Sequence, residues 1–545
     1  NGQYYEPVDL NDPSLLLTNG LDPTEADPRF HQQMVYAVSS ETIRRFEFAL
    51  GREITWRPRA GTRKGAPLRA HLRIFPHAFQ QANAFYDRRM KALLFGYFPA
   101  SLDDAGDSIP GQTVFTCLSH DIIAHETTHA VLDRIRRYFS ESTSPDTTAF
   151  HEAFADIVAL FQHFRLEEVV LDVINRTGGR IHLATLDSDV APNGEAVIRG
   201  EQARSNPLVG LAKQFGESMG HRKALREAIG SAPDPSAYRS VTKPHERGSI
   251  LVAAVFDAFF TIYVKRTRDL IRIARAGGAP VDGGNVHPDL ARRLCKEAVK
   301  TATHFLNICI RAIDYCPPVD LQFGEYLRAL VTADSQLVPD DPYGYRTELI
   351  NAFRARGIVP DGAMSYSEDA LAWCGPEERD RPVPRCEGLM FDVLKDIDPK
   401  SAESNDERAR HNAITLQSYA KTNAFALGLD PKWGVQPWSY HPIFRIAPDG
   451  RLKVGFVVEF VQKRVVHLDP NDQRSPIFNF RGGSTVIFDH QGNVLYVIEK
   501  GLSSAGRLEG QRDFLLQLNA DSPLFAYNGR RQLEMPEFAA IHRGY

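Results

Sequence analysis

The sequence predicts an α+β protein: a β-rich lobe, then a helical lobe, then a smaller α+β domain built on β-hairpins. Three observations carry this expectation. From 52 to 118 the apolar residues come in short strand-like runs, "EITWRP", "AHLRIF" and "ALLFGYF". From about 119 to 356 they recur at helical spacing over long stretches, such as 248 to 274 and 289 to 314. Beyond 387, two segments set paired apolar runs around a turn. At 545 residues and 43% hydrophobic content the chain is long enough to divide into more than one domain.

Taken in order, residues 1 to 28 are rich in Asp, Asn and Pro and read as an extended lead-in. "MVYAVSSETIRRFEFALG" then has helical apolar spacing and stops at Gly51, which opens the first lobe, 29 to 118. The helical lobe is taken as 119 to 358. Residues 359 to 386 read as a linker, because "GPEERDRPVPRCEG" combines charge with three prolines, and "DPKSAESNDERARHN" reads as a further solvated stretch. The last domain, 387 to 545, holds "FRIAPDGRLKVGFVVEFV" and "STVIFDHQGNVLYVIEK", whose turns centre on Pro448 to Gly450 and His490 to Asn493. Cys309 and Cys316, seven apart in an apolar helix, read as core.

Composition excludes some partners. Lys+Arg 64 against Asp+Glu 68 gives a net charge of -4, which provides no basic field for nucleic acid. The six cysteines are dispersed without a CxxC pair and read as free thiols. No run reaches the roughly 18 apolar residues of a membrane helix, and "NGQYYEPVDLNDPSLLL" lacks the basic start and apolar core of a signal peptide. A cytoplasmic protein without a membrane partner is the expectation.

The chemistry concentrates in "IIAHETTHAVLDRIRR". His125 and His129 are i,i+4, so on a helix both imidazoles project from one face and can share one zinc ion. Glu126 points about 100° around the helix, where a carboxylate can serve as general base toward a water. A third ligand is required, and "TAFHEAFADIVALFQHF" offers it. There Phe150, Phe154, Ile157, Val158 and Phe161 form a core stripe, while Glu152 and Asp156 share another face. Glu152 can complete the ligand set, and Asp156 can accept the second N–H of a ligand histidine. Asp146 or Thr147, just after Pro145, is expected to cap this helix.

"HETTH" followed by "HEAFAD" resembles the gluzincin metallopeptidases, particularly the thermolysin-like family. The resemblance covers about residues 25 to 356, and it implies a two-lobe fold with a zinc cleft between the lobes and peptide or protein as substrate. It also implies roles for other residues. "NAFY" resembles the family's edge strand, making Asn83, Ala84 and Phe85 substrate-binding. "KPHERGSILVAAVFDAFF" resembles the segment whose histidine stabilises the oxyanion, giving that role to His245, and "ALREAIGSAPDP" nominates Arg226. Tyr138 is the nearest candidate for the family's transition-state tyrosine. Of the family's acidic calcium cluster only Asp121 is matched, with His163 at a position that is acidic elsewhere, so calcium is not implied. The function expected is a zinc-dependent endopeptidase. Two alternatives stand beside it: a latent gluzincin-like scaffold that binds a protein, and a zinc hydrolase of a non-peptide amide or ester. The region 387 to 545 is expected to limit access to the cleft or to select the substrate.

Overall fold

Asp27 caps the first long helix by accepting a hydrogen bond from the Arg29 backbone at 2.9 Å, and Pro28 occupies the first helical position, where a missing N–H costs nothing. In the computed structural model, which describes residues 5–56, 71–103, 108–176, 228–278, 286–390, 402–518, 526–527 and 533–534, this helix (α2, Pro28–Leu50) follows a short one (α1, Pro13–Leu17) in the lead-in. It ends where predicted, at Gly51, whose φ of 70° suits a left-handed cap. Ile54 is buried in the helical core and its N–H is taken by the Glu47 carboxylate at 2.9 Å, so the described part of "EITWRP" is not a strand.

A four-stranded sheet follows: β1 (Arg73–Phe79), β2 (Ala84–Asp87), β3 (Ala92–Pro99) and β4 (Thr113–Phe115). β1 runs parallel to β3, whereas β2 and β4 run antiparallel to it, and β2 lies at an edge. The helices come next: α3 (His120–Ile135), α4 (Pro145–His163), α5 (Glu167–Arg176), α6 (Ala237–Ser240), α7 (Pro244–Ala276), α8 (Pro288–Ala312), α9 (Phe323–Leu337), α10 (Tyr345–Ala355) and α11 (Glu368–Leu371). The protein is therefore α+β, as the sequence predicts.

α4 is the hub. Every residue from Asp146 to His163 is buried, since α3 and α7 pack against it from different sides. The predicted stripe meets other rings, with Phe150 stacked on Phe154 and Phe161 against Phe259 and Phe305. The cap differs from the expectation. Ser144 caps α4 in a capping box with Thr147, because Pro145 takes the first helical position. Asp146 instead faces inward and accepts hydrogen bonds from the Phe323 backbone at 2.8 Å, from the Tyr238 hydroxyl at 2.6 Å and from Arg247. α7 is long and apolar enough to cross a membrane by composition, but 83% of its apolar window is buried in this core.

The segment read as a linker is docked rather than free. Trp373 donates to the Tyr315 carbonyl at 2.9 Å, Arg379 to that of Val497 at 3.0 Å, and the Cys386 backbone to Gly492 at 2.9 Å. "DPKSAESNDERARHN" enters a helix, α12 (Ala402–Thr422), because Leu416, Tyr419 and Ala420 give it a buried face.

Both predicted hairpins are present in a four-stranded antiparallel meander: β5 (Gln436–Ile446), β6 (Leu452–His467), β7 (Ile477–Asp489) and β8 (Val494–Lys500), followed by α13 (Ala505–Gln517). This sheet is covered on both faces. Phe456, Val458, Phe460, Val486 and Phe488 pack with α12, while Ile443, Val457, Ile487 and Ile498, pointing the other way, join the core of the helical lobe. Buried ion pairs lace the same seam. Asp314 is bound by Arg52 at 2.7 Å and by Arg445 at 2.6 Å, and Arg136 pairs with Glu459 at 2.8 Å. Arg481 meets Glu141 at 2.8 Å, Lys500 meets Glu325 at 2.7 Å, and Arg507 meets Asp320 at 2.9 Å.

Gly51 also belongs to this seam. Its carbonyl accepts from the Phe444 backbone at 2.9 Å, and a Cβ there would stand 2.2 Å from the Phe444 carbonyl oxygen. Gly51→Ala is expected to lower stability by about 1–3 kcal/mol, read as a reduced urea midpoint, because both the left-handed φ and the contact oppose a side chain.

Candidate metal centre

α3 begins at Ser119, whose side chain accepts from the Ile122 backbone, and runs unbroken to Arg136. Its regular winding brings His125 and His129 onto one face with their rings 4.6 Å apart, at a T-shaped angle. Ligand-type atoms of His125, Glu126 and His129 lie within 4.8 Å of one another, and all three side chains are buried. α4 delivers Glu152 against them. Its Oε2 stands 3.4 Å from His125 Nε2 and its Oε1 3.5 Å from His129 Nε2, so the carboxylate spans the histidine pair. The cluster has the donors and the convergence to hold a metal ion.

His245 joins this group from the first turn of α7. Its Nε2 lies 3.5 Å from Glu152 Oε2, and its side chain is also buried. Two neighbouring helices and a third about 80 residues further along the chain thus aim imidazole or carboxylate groups at one point. Glu126 is held differently from Glu152, since its Oε2 accepts a hydrogen bond from the Tyr86 backbone N–H of β2 at 3.0 Å. The edge strand is therefore attached directly to the predicted base. Tyr86 and Arg88 extend this attachment, reaching Asp133 of α3 at 3.2 and 2.7 Å.

Asn83, Ala84 and Phe85 lead into and lie on this strand. The Asn83 side-chain oxygen accepts from the Ala84 backbone at 2.9 Å, its carbonyl accepts from Gly96 at 2.9 Å, and Phe85 stacks on Phe79 at 5.3 Å. Asp156 is buried one helical turn beyond Glu152. The Nδ1 of His129 faces His151 Nδ1 at 2.8 Å. Burial, reinforced by the neighbouring His129, holds the His151 imidazole well below its ordinary pKa. His151 was missed because adjacent helical residues point about 100° apart; its position directly before Glu152 was the available signal.

Tyr138 lies in a short 3-10 turn after α3, with its ring 5.0 Å from that of Trp438 and the Arg481 guanidinium 4.4 Å above it. Both partners come from the C-terminal sheet, which anchors this ring at the seam. Arg226 lies outside the described residues. At the position resembling a calcium site, His163 bonds Asp121 at 3.0 Å with the His120 ring beside it. No family model, curated protein or solved structure matches the chain.

Proposed function

We propose that the chain is a zinc-dependent endopeptidase of thermolysin-like two-lobe design, with the sheet lobe contributing β2 and the helical lobe contributing α3, α4 and α7. The observation that carries this reading is a distance. Two ligands each 2.0–2.1 Å from a tetrahedral zinc ion sit about 3.3–3.4 Å apart, and Glu152 stands 3.4 and 3.5 Å from the two histidine nitrogens. His125, His129 and Glu152 would hold the ion. When bound, zinc supplies the Lewis acidity that polarises a carbonyl and acidifies a water.

The remaining steps belong to the chain's own groups. A peptide laid along β2 in extended form meets backbone partners and places its scissile bond beside Glu126. The Glu126 carboxylate takes a proton from the attacking water and returns it to the leaving amine. The Tyr86 N–H keeps that carboxylate on the strand side of the site. His245 donates to the oxyanion as it develops.

The test is cleavage of a diverse peptide library. The purified full chain is expected to cut it, to lose that activity on chelation, and to regain it when zinc alone is added back. Zinc-loaded protein that cuts no peptide would overturn the proposal in favour of a binding scaffold or a hydrolase of other amides.

A further inference from the structure

Outside the centre just described, His31, His77 and Cys117 bring metal-binding atoms from three elements to one point. His31 sits in the first turn of α2, His77 lies on β1, and Cys117 lies in the short 3-10 turn Thr116–Leu118 that leads into α3. Their ligand atoms all lie within 4.8 Å of one another, and His31 and Cys117 are buried to 1% and 0% exposure. We propose that these three residues form a second metal site for a borderline or soft divalent cation, zinc above all. The proposal is independent of the peptidase reading.

Three features support it. First, the donor set is two imidazoles and one thiol with no carboxylate, which suits zinc and disfavours calcium or magnesium. Second, the His31 tautomer is fixed. Its Nε2 lies 3.1 Å from the Glu25 carbonyl oxygen, which can only accept, so Nε2 carries the proton and Nδ1 presents a lone pair to the cluster. Backbone carbonyls commonly orient metal-ligand histidines in this way. Third, the surroundings are aromatic. The Phe115 ring centroid is 4.7 Å from that of His31 and 5.3 Å from that of His77, with Tyr97 and Tyr5 at 6.2 and 5.9 Å from His77.

The simpler reading is a histidine pair beside an inert thiol, since His31 Nδ1 and His77 Nε2 are 2.7 Å apart, a hydrogen-bond distance. Two imidazoles on one zinc stand about 3.3 Å apart, so a small ring rotation separates the two arrangements. Binding would exchange the Cys117 thiol proton for the metal, release it to solvent, and leave the fourth position to water. The site would pin α2 to β1 and to the turn immediately before α3.

The test uses full-length protein loaded with cobalt(II), which reports thiolate ligation through near-ultraviolet charge-transfer absorption. That band is expected in the wild type and in His129→Ala, and it should vanish in Cys117→Ser and weaken in His77→Gln. Metal analysis of zinc-loaded protein should show one equivalent fewer in Cys117→Ser than in the wild type. A wild type without the band, or a band that persists in Cys117→Ser, overturns the proposal. If Cys117→Ser does not fold, the wild-type spectrum and His77→Gln still decide it. A wild type that shows the band but cuts no peptide would sink the peptidase reading alone.

Discussion

Glu126→Gln is expected to reduce peptide cleavage by about 10²–10⁴-fold or more while leaving bound zinc unchanged. The structure makes this substitution a clean probe. The amide keeps the volume of the carboxylate, and its oxygen can still accept from the Tyr86 N–H, which the native side chain does at 3.0 Å. What is lost is only the capacity to take a proton. His125, His129 and Glu152 keep their mutual spacing, so metal content by mass spectrometry should match the wild type. Glu152→Gln should behave differently, losing metal and activity together. If Glu126→Gln retained most of its turnover, the assigned general base would be wrong.

Asp314→Ala is expected to destabilise the protein by roughly 3–5 kcal/mol, the cost of leaving buried charge uncompensated. Asp314 is fully buried between Arg52 and Arg445, whose side chains are 8% and 7% exposed. Removing the carboxylate leaves two guanidiniums facing one gap. Equilibrium unfolding in urea should show a lower midpoint, and an unshifted midpoint would deny the knot its structural weight. Acid should reveal the same group. Burial alone would raise its pKa, but Arg52, then Arg445 and Arg136, outweigh burial and hold it down to about 2 from 3.8. The native state therefore favours the ionised form. Its contribution, on the order of 2 kcal/mol, is complete above pH 4 and is lost as pH falls toward 2. The wild type should lose stability steeply across that window, and Asp314→Ala should do so less steeply. Protonation costs less than deletion because a neutral carboxyl still fills the gap and hydrogen-bonds.

The parts of this molecule that were legible in the sequence are those set by local geometry. His125 and His129 had to share a face once the segment was helical, and the same reasoning placed Glu152 on a helix that could reach them. The turn residues at Pro448 to Gly450 and at His490 to Asn493 announced both hairpins. Contacts set by tertiary packing were not legible. His31, His77 and Cys117 are separated by long stretches of chain and carry no spacing signature. The cap of α4 was misplaced by two or three residues because Asp146 has the chemistry of a cap and is used elsewhere. The C-terminal sheet is buried on both faces, and "VGFVVEFV" said so by being apolar without alternation. A carboxylate inside such a run, Glu459, was the sign that a cation had to meet it there, and Arg136 does.

That seam has a consequence for how the protein is made. Arg481 and Glu141 lie 340 residues apart in the chain, and Arg136 and Thr485 lie 349 apart. At a synthesis rate of about 5–20 residues per second, each early partner waits roughly 20–70 s on the ribosome for the late one. Until then Arg136, at the end of the helix that carries His125 and His129, has no Glu459 to close on. The helix that carries the candidate metal ligands is thus translated first and braced last.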